Sequence, residues 1–76
     1  MFLVMEIQKF QNGNFSTPVT SYPTREKAES KYYSILASAA VSALPLHAAV
    51  LMTEEGYVLS SQSYKHVEEE SSEDPA

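Results

Sequence analysis

Two histidines, one pair of adjacent glutamates and a serine-rich strand are the residues of this chain that could do chemistry. His47 and His66 are its only histidines. They are expected near the outer ends of two neighbouring strands, with Glu68 as the nearest loose carboxylate. Two imidazoles and one unrestrained carboxylate fall short of the three or four positioned ligands that a metal site needs. Glu54 and Glu55 are consecutive in a turn, where both stay solvated, whereas acid–base catalysis needs carboxylates in contrasting environments. Ser60, Ser61 and Ser63 have no positioned base, because His66 follows along the same strand. The only glycines are Gly13 and Gly56, so there is no glycine-rich phosphate loop. With no cysteine there is no thiolate nucleophile and no disulfide framework. The expectation is a non-enzyme with no catalytic residue, no cofactor and no metal.

The elements that carry these residues follow from pattern and punctuation. Residues 2–10 alternate, with Leu3, Met5 and Ile7 on one side and Phe2, Val4, Glu6 and Gln8 on the other, as in a half-buried strand. Asn12-Gly13 reads as a two-residue hairpin turn, which would set Phe10 opposite Phe15 and Glu6 opposite Val19. Pro18 interrupts the returning strand and predicts an edge position or a short strand there. Pro23 and Thr24 mark a helix start, with Thr24 as N-cap and Glu26 in the positive first turn. Ala28, Tyr32, Ile35, Leu36, Ala39 and Ala43 recur at helical spacing, and Pro45 closes the segment, so the helix is expected from Thr24 to about Ala43. Leu46–Met52 and Tyr57–Tyr64 form a second hairpin through Glu54-Glu55-Gly56. In that register Leu51 faces Leu59 and Met52 faces Val58.

The predicted fold is α+β, ββαββ: an antiparallel sheet of about four strands with one helix packed on one face. A chain of 76 residues has room for one domain, expected over residues 1–66, and its 43% apolar content excludes disorder of the whole chain. Five of the ten acids fall in residues 68–76, so the net charge of −5 belongs to an acidic tail, expected to be disordered over 67–76. Residues 1–67 carry five acids and five bases. A neutral domain argues against nucleic acid as a partner, since such binding needs a basic face. No apolar run approaches the roughly 20 residues of a membrane span. The start, Met1–Met5, is interrupted by Glu6 and lacks the basic leader of a signal peptide. The expected location is cytoplasmic and no membrane partner is expected.

Five tyrosines are many for this length, and tyrosine joins a large apolar area to a polar tip, as contact surfaces require. Both faces of the second hairpin carry apolar groups near its turn. One helix cannot cover both sides of a sheet, so a homodimer is expected, together with a protein partner of unknown identity. The candidate interaction surface is the second hairpin: His47, Leu51, Tyr57, Leu59, Tyr64 and His66.

The helix segment from Thr24-Arg25-Glu26-Lys27-Ala28-Glu29 through Ala40 resembles a pattern in small uncharacterised proteins of Firmicutes bacteriophages, prophages and gut metagenomes. So does Leu46-His47-Ala48-Ala49-Val50-Leu51-Met52-Thr53-Glu54-Glu55-Gly56-Tyr57, with Ser63-Tyr64-Lys65-His66 closing it. The resemblance spans about residues 2–66 and includes an acidic tail. It implies a phage-type accessory protein made in the bacterial host cytoplasm, and it carries no catalytic residues. Two roles are open. One is an accessory or assembly-associated protein acting by protein–protein contact. The other is an inhibitor of anti-phage defence that binds an effector or sequesters a nucleotide signal, with Arg25, Lys31 and Tyr33 as the side chains a nucleotide would need.

Overall fold

A computed structural model describes residues 1–66. The acidic segment expected to be disordered, 67–76, lies outside the described residues. The elements are β1 (Phe2–Lys9), β2 (Phe15–Ser16), β3 (Val19–Tyr22), α1 (Arg25–Ala40), β4 (Leu46–Thr53) and β5 (Val58–Lys65). They form one antiparallel sheet in the order β2-β1-β4-β5, with β3 beside β2 on the outer side of β1. The α+β class and the helix packed on one face are as expected. The sheet has five strands because the returning strand of the first hairpin is broken in two around Pro18. That pair forms one edge, and β5 forms the other.

The first hairpin keeps its turn residues but not the predicted register. Its loop has three residues, Gln11 to Gly13, closed by Phe10 N–H donating to the Asn14 carbonyl at 2.8 Å and Gly13 N–H to the Phe10 carbonyl at 2.9 Å. Gly13 takes φ 90°, the left-handed conformation that closes a glycine-bulge turn. Lys9 is therefore opposite Phe15, and Met5 opposite Val19. The predicted pairs Phe10–Phe15 and Glu6–Val19 are each displaced by one residue. A one-residue slip exchanges the faces of a strand. Here it sets Val19 with Met5, apolar beside apolar, instead of with a carboxylate.

Thr24 caps α1 as predicted: its backbone is extended (φ −126°, ψ 156°) and its hydroxyl accepts from Lys27 N–H at 3.3 Å. The helix ends at Ala40, short of the predicted Ala43. Val41 and Ser42 N–H reach back three residues to the Ser38 and Ala39 carbonyls, at 3.2 and 3.3 Å, which tightens and ends the last turn. Val41 and Ser42 are weaker helix formers than the alanines before them. Ala43 is exposed and does not join the buried stripe.

That stripe, Ala28, Tyr32, Ile35 and Leu36, packs on Val4 of β1 and on Ala49 and Leu51 of β4. Ala28, Ala39 and Ala49 are fully buried, so small residues let the helix backbone approach the sheet closely. The two central strands pair along their whole length, from Phe2–Thr53 to Lys9–Leu46.

The second hairpin has the predicted three-residue loop. Thr53 N–H donates to the Tyr57 carbonyl and Gly56 N–H to the Thr53 carbonyl, both at 2.9 Å, with Gly56 at φ 97°. Met52 faces Val58 as expected. A bulge next to Met52 then shifts the register, so Leu51 faces Ser60 and not Leu59. Leu59 is the extra residue, and it packs against the edge of the core.

Candidate functional site

Strand alternation assigns every side chain of the two central strands to one of two faces. Phe2, Val4, Glu6 and Gln8 of β1 share the helix side with His47, Ala49 and Leu51 of β4. Leu3, Met5 and Ile7 share the opposite side with Ala48, Val50 and Met52, cross-strand neighbours in the register Leu3–Met52, Met5–Val50 and Ile7–Ala48. No described element covers that second side.

Most of the predicted contact residues are buried or half-buried on the helix side of the sheet. Leu51 is 1% exposed, deep in the core beneath the helix. Leu59 and Tyr64 are half-buried against the same core. His47 is 5% exposed, and His66 is half-buried with its ring stacked on Tyr64 at 6.3 Å between centroids. Only Tyr57, at the hairpin turn, is freely exposed. The correction has one physical cause: the bulge and the inward direction of His47, Leu51 and Tyr64 turn the hairpin's larger groups under α1.

The two histidines do not form a pair. Each ties the C-terminal end of α1 to the sheet. His66 Nε2 lies 2.8 Å from the Ala39 carbonyl, one of the acceptors left open at a helix end. His47 Nε2 lies 2.6 Å from Glu6 Oε2 and its Nδ1 lies 3.0 Å from Ser42 Oγ. Gln8 Nε2 donates to the same Glu6 oxygen at 3.3 Å. Neutral His47 satisfies this chain when Nε2 carries the proton toward Glu6 and Nδ1 accepts from Ser42. Hydroxyl, imidazole and carboxylate thus stand in the order of a hydrolytic triad. The Ser42 hydroxyl also accepts Leu44 N–H at 3.4 Å, and the imidazole is enclosed. As built, the chain joins the helix exit to both central strands. Among the described residues no group of three or more His, Cys, Asp or Glu is placed to hold a metal ion.

Arg25, Lys31 and Tyr33 are all exposed on α1. Arg25 Nε is 3.1 Å from Glu29, and Tyr33 meets Tyr32 edge to face at 5.2 Å.

The helix-free face is the apolar surface that remains. Leu3, Met5, Ile7, Val50 and Met52 are half-buried. Around them Val19, Phe15 and Val58 are 50%, 58% and 60% exposed. A depression of about 200 Å³ lies over β4 and β5, where Ala48, Ser61 and Ser63 present small side chains. The face has a charged end. Lys9 and Lys65 flank Leu46 in a single cross-strand row, and Lys9 Nζ sits 5.9 Å above the Phe15 ring. At the opposite end of the sheet are exposed Glu54 and Glu55, with Glu54 2.7 Å from the Met1 amino group. The odd-numbered residues of β1 were legible as one apolar set. What concealed their role is that the richer of the two faces of β1 is the one the helix leaves open.

This is an α+β domain with one helix on one face of a five-stranded antiparallel sheet and an apolar second face. No protein-family model matches the chain, and comparison with curated proteins and with solved structures finds no match. No helix among the described residues is long and apolar enough to cross a membrane.

Proposed function

We propose that this chain is a non-enzymatic contact protein whose working surface is the helix-free face of its sheet. The setting is that of the phage-type accessory proteins it resembles, made in the bacterial host cytoplasm. The observation that carries the reading is the continuous block Leu3, Met5, Ile7, Val50 and Met52, paired across β1 and β4 on the side where no described helix or strand packs. Contiguous apolar surface on a small domain marks a site of association. Burying it yields about 25 cal/mol for each Å² removed from water. An inhibitor of a defence effector would use the same face, so the two protein-binding roles share one surface.

The test is photocrosslinking in cells, with a benzophenone amino acid placed at Val50 or, as a control, at Ser34 on the exposed side of α1. Adducts to protein should form from Val50 and not from Ser34. Absence of adducts from Val50, or equal yield from Ser34, would sink the reading.

A further inference from the structure

We infer that the occupant of the helix-free face is a second copy of this chain, packed sheet against sheet with strand directions opposed. The inference rests on the reading of that face as a contact surface. It goes further in naming the partner and its orientation.

Area comes first. Three strands of eight residues and the broken column of β2 and β3 span roughly 19 by 26 Å, so each copy contributes roughly 500 Å² and the pair roughly 1,000 Å². That reaches the size, about 1,000 Å², at which a specific interface becomes stable. Self-complementarity comes second. A two-fold interface sets the same patch against itself, so its chemistry must match its own image. The apolar middle does so in any orientation. The charged ends do so in one: opposed strands carry the Lys9–Lys65 end of one copy over the Glu54–Glu55 end of the other, whereas parallel strands would stack lysine on lysine.

Other occupants fit less well. Residues 67–76 contain one large apolar side chain, Val67, which is the wrong chemistry to cover such a face. The free edge of β5 could pair with its own copy to extend the sheet. That arrangement would leave Leu3, Met5, Ile7, Val50 and Met52 in water, so it does not account for them.

Sedimentation equilibrium of the full chain, from micromolar to millimolar concentration, tests this. The expected result is a dimer, with the double substitution Met5→Glu and Val50→Glu giving a monomer of unchanged circular dichroism. A second variant set does not depend on the folding of that one. Lys65→Glu should weaken the dimer about fivefold at low salt, since two symmetry-related rim pairs are lost, and adding Glu55→Lys should restore it. Tighter association of Lys65→Glu alone would overturn the opposed orientation. A monomer at every concentration would overturn self-association, while crosslinks from Val50 to another protein would still support the contact surface. A dimer that survives Met5→Glu with Val50→Glu but is broken by Gln62→Pro would show β5 edge pairing and overturn the face-to-face packing.

Discussion

Glu6 and His47 are 41 residues apart in the chain and 2.6 Å apart in the fold. Their contact crosses the central β1–β4 pairing on the helix side, and through Ser42 it reaches the exit of α1. One buried imidazole thereby fixes three elements whose mutual placement no local propensity decides. A carboxylate left there without its partner would be poorly solvated.

His47→Ala should accordingly destabilise the domain by about 2–3 kcal/mol, because it strands the Glu6 carboxylate and opens space beneath the helix end. Glu6→Gln keeps an acceptor for Nε2–H and should cost about 1 kcal/mol. Urea unfolding followed by circular dichroism measures both. No loss from Glu6→Gln beside the full loss from His47→Ala would mean that the ring's volume, not its bond to Glu6, is what matters.

Leu51→Ala and Tyr57→Ala separate core from surface within one hairpin. Leu51 is 1% exposed and Tyr57 is 72% exposed. Truncating Leu51 should remove about 2–5 kcal/mol, a large part of the stability of so small a domain. Tyr57→Ala should change stability by less than about 0.5 kcal/mol. Thermal melts of the two variants side by side decide the matter, and similar midpoints would contradict the burial.

Gly13→Ala and Gly56→Ala should each cost about 1 kcal/mol through backbone strain alone. Both glycines sit at positive φ, and an added Cβ would meet nothing within 4 Å at either site. Asparagine, which tolerates that conformation, should lose less than alanine does. Chemical denaturation of the four variants checks the order, and alanine equal to asparagine would remove the conformational explanation.

Alkaline pH should loosen the fold through Tyr32. Burial raises its phenol above the ordinary value of 10.0, and the neighbouring Tyr33 adds to the shift in the same direction. The folded chain therefore holds this proton more tightly than the unfolded chain does. Its contribution is whole below pH 10.0 and is lost as pH rises through the folded-state value. Stability measured across that window should fall more steeply in the natural chain than in Tyr32→Phe. Identical slopes would assign the loss to other groups.

What could be read from the residues was local. Thr24 as cap, Pro18 as a strand break and Gly56 as the last residue of a three-residue loop depend on a few neighbouring atoms, and each lies where its chemistry requires. Gly13 misled by one position, since Asn-Gly closes a two-residue or a three-residue loop equally well. The pairing of β1 with β4 has no local signature at all. The alternation in β1 pointed to Leu3, Met5 and Ile7 as the set to bury, yet α1 covers Val4 and Glu6. The helix lies on the face that carries Val4, Ala49 and Leu51, a choice that the pattern within β1 does not encode. The inward placement of His47, Leu51, Leu59 and Tyr64 was not legible either, because a bulge and the helix position fix those directions.

The pairing of β1 with β4 also sets a schedule for the growing chain. Strand β1 leaves the ribosome with Leu3, Met5 and Ile7 on one side and Val4 on the other, and its central partner ends at Thr53. At about 5–20 residues per second, that strand waits roughly several seconds for its neighbour. During that interval the Pro18-broken return strand and then α1 are the described elements that can pack on it. The nascent chain is therefore most open to chaperones, and to misassembly with other nascent copies, before the second half of the sequence exists.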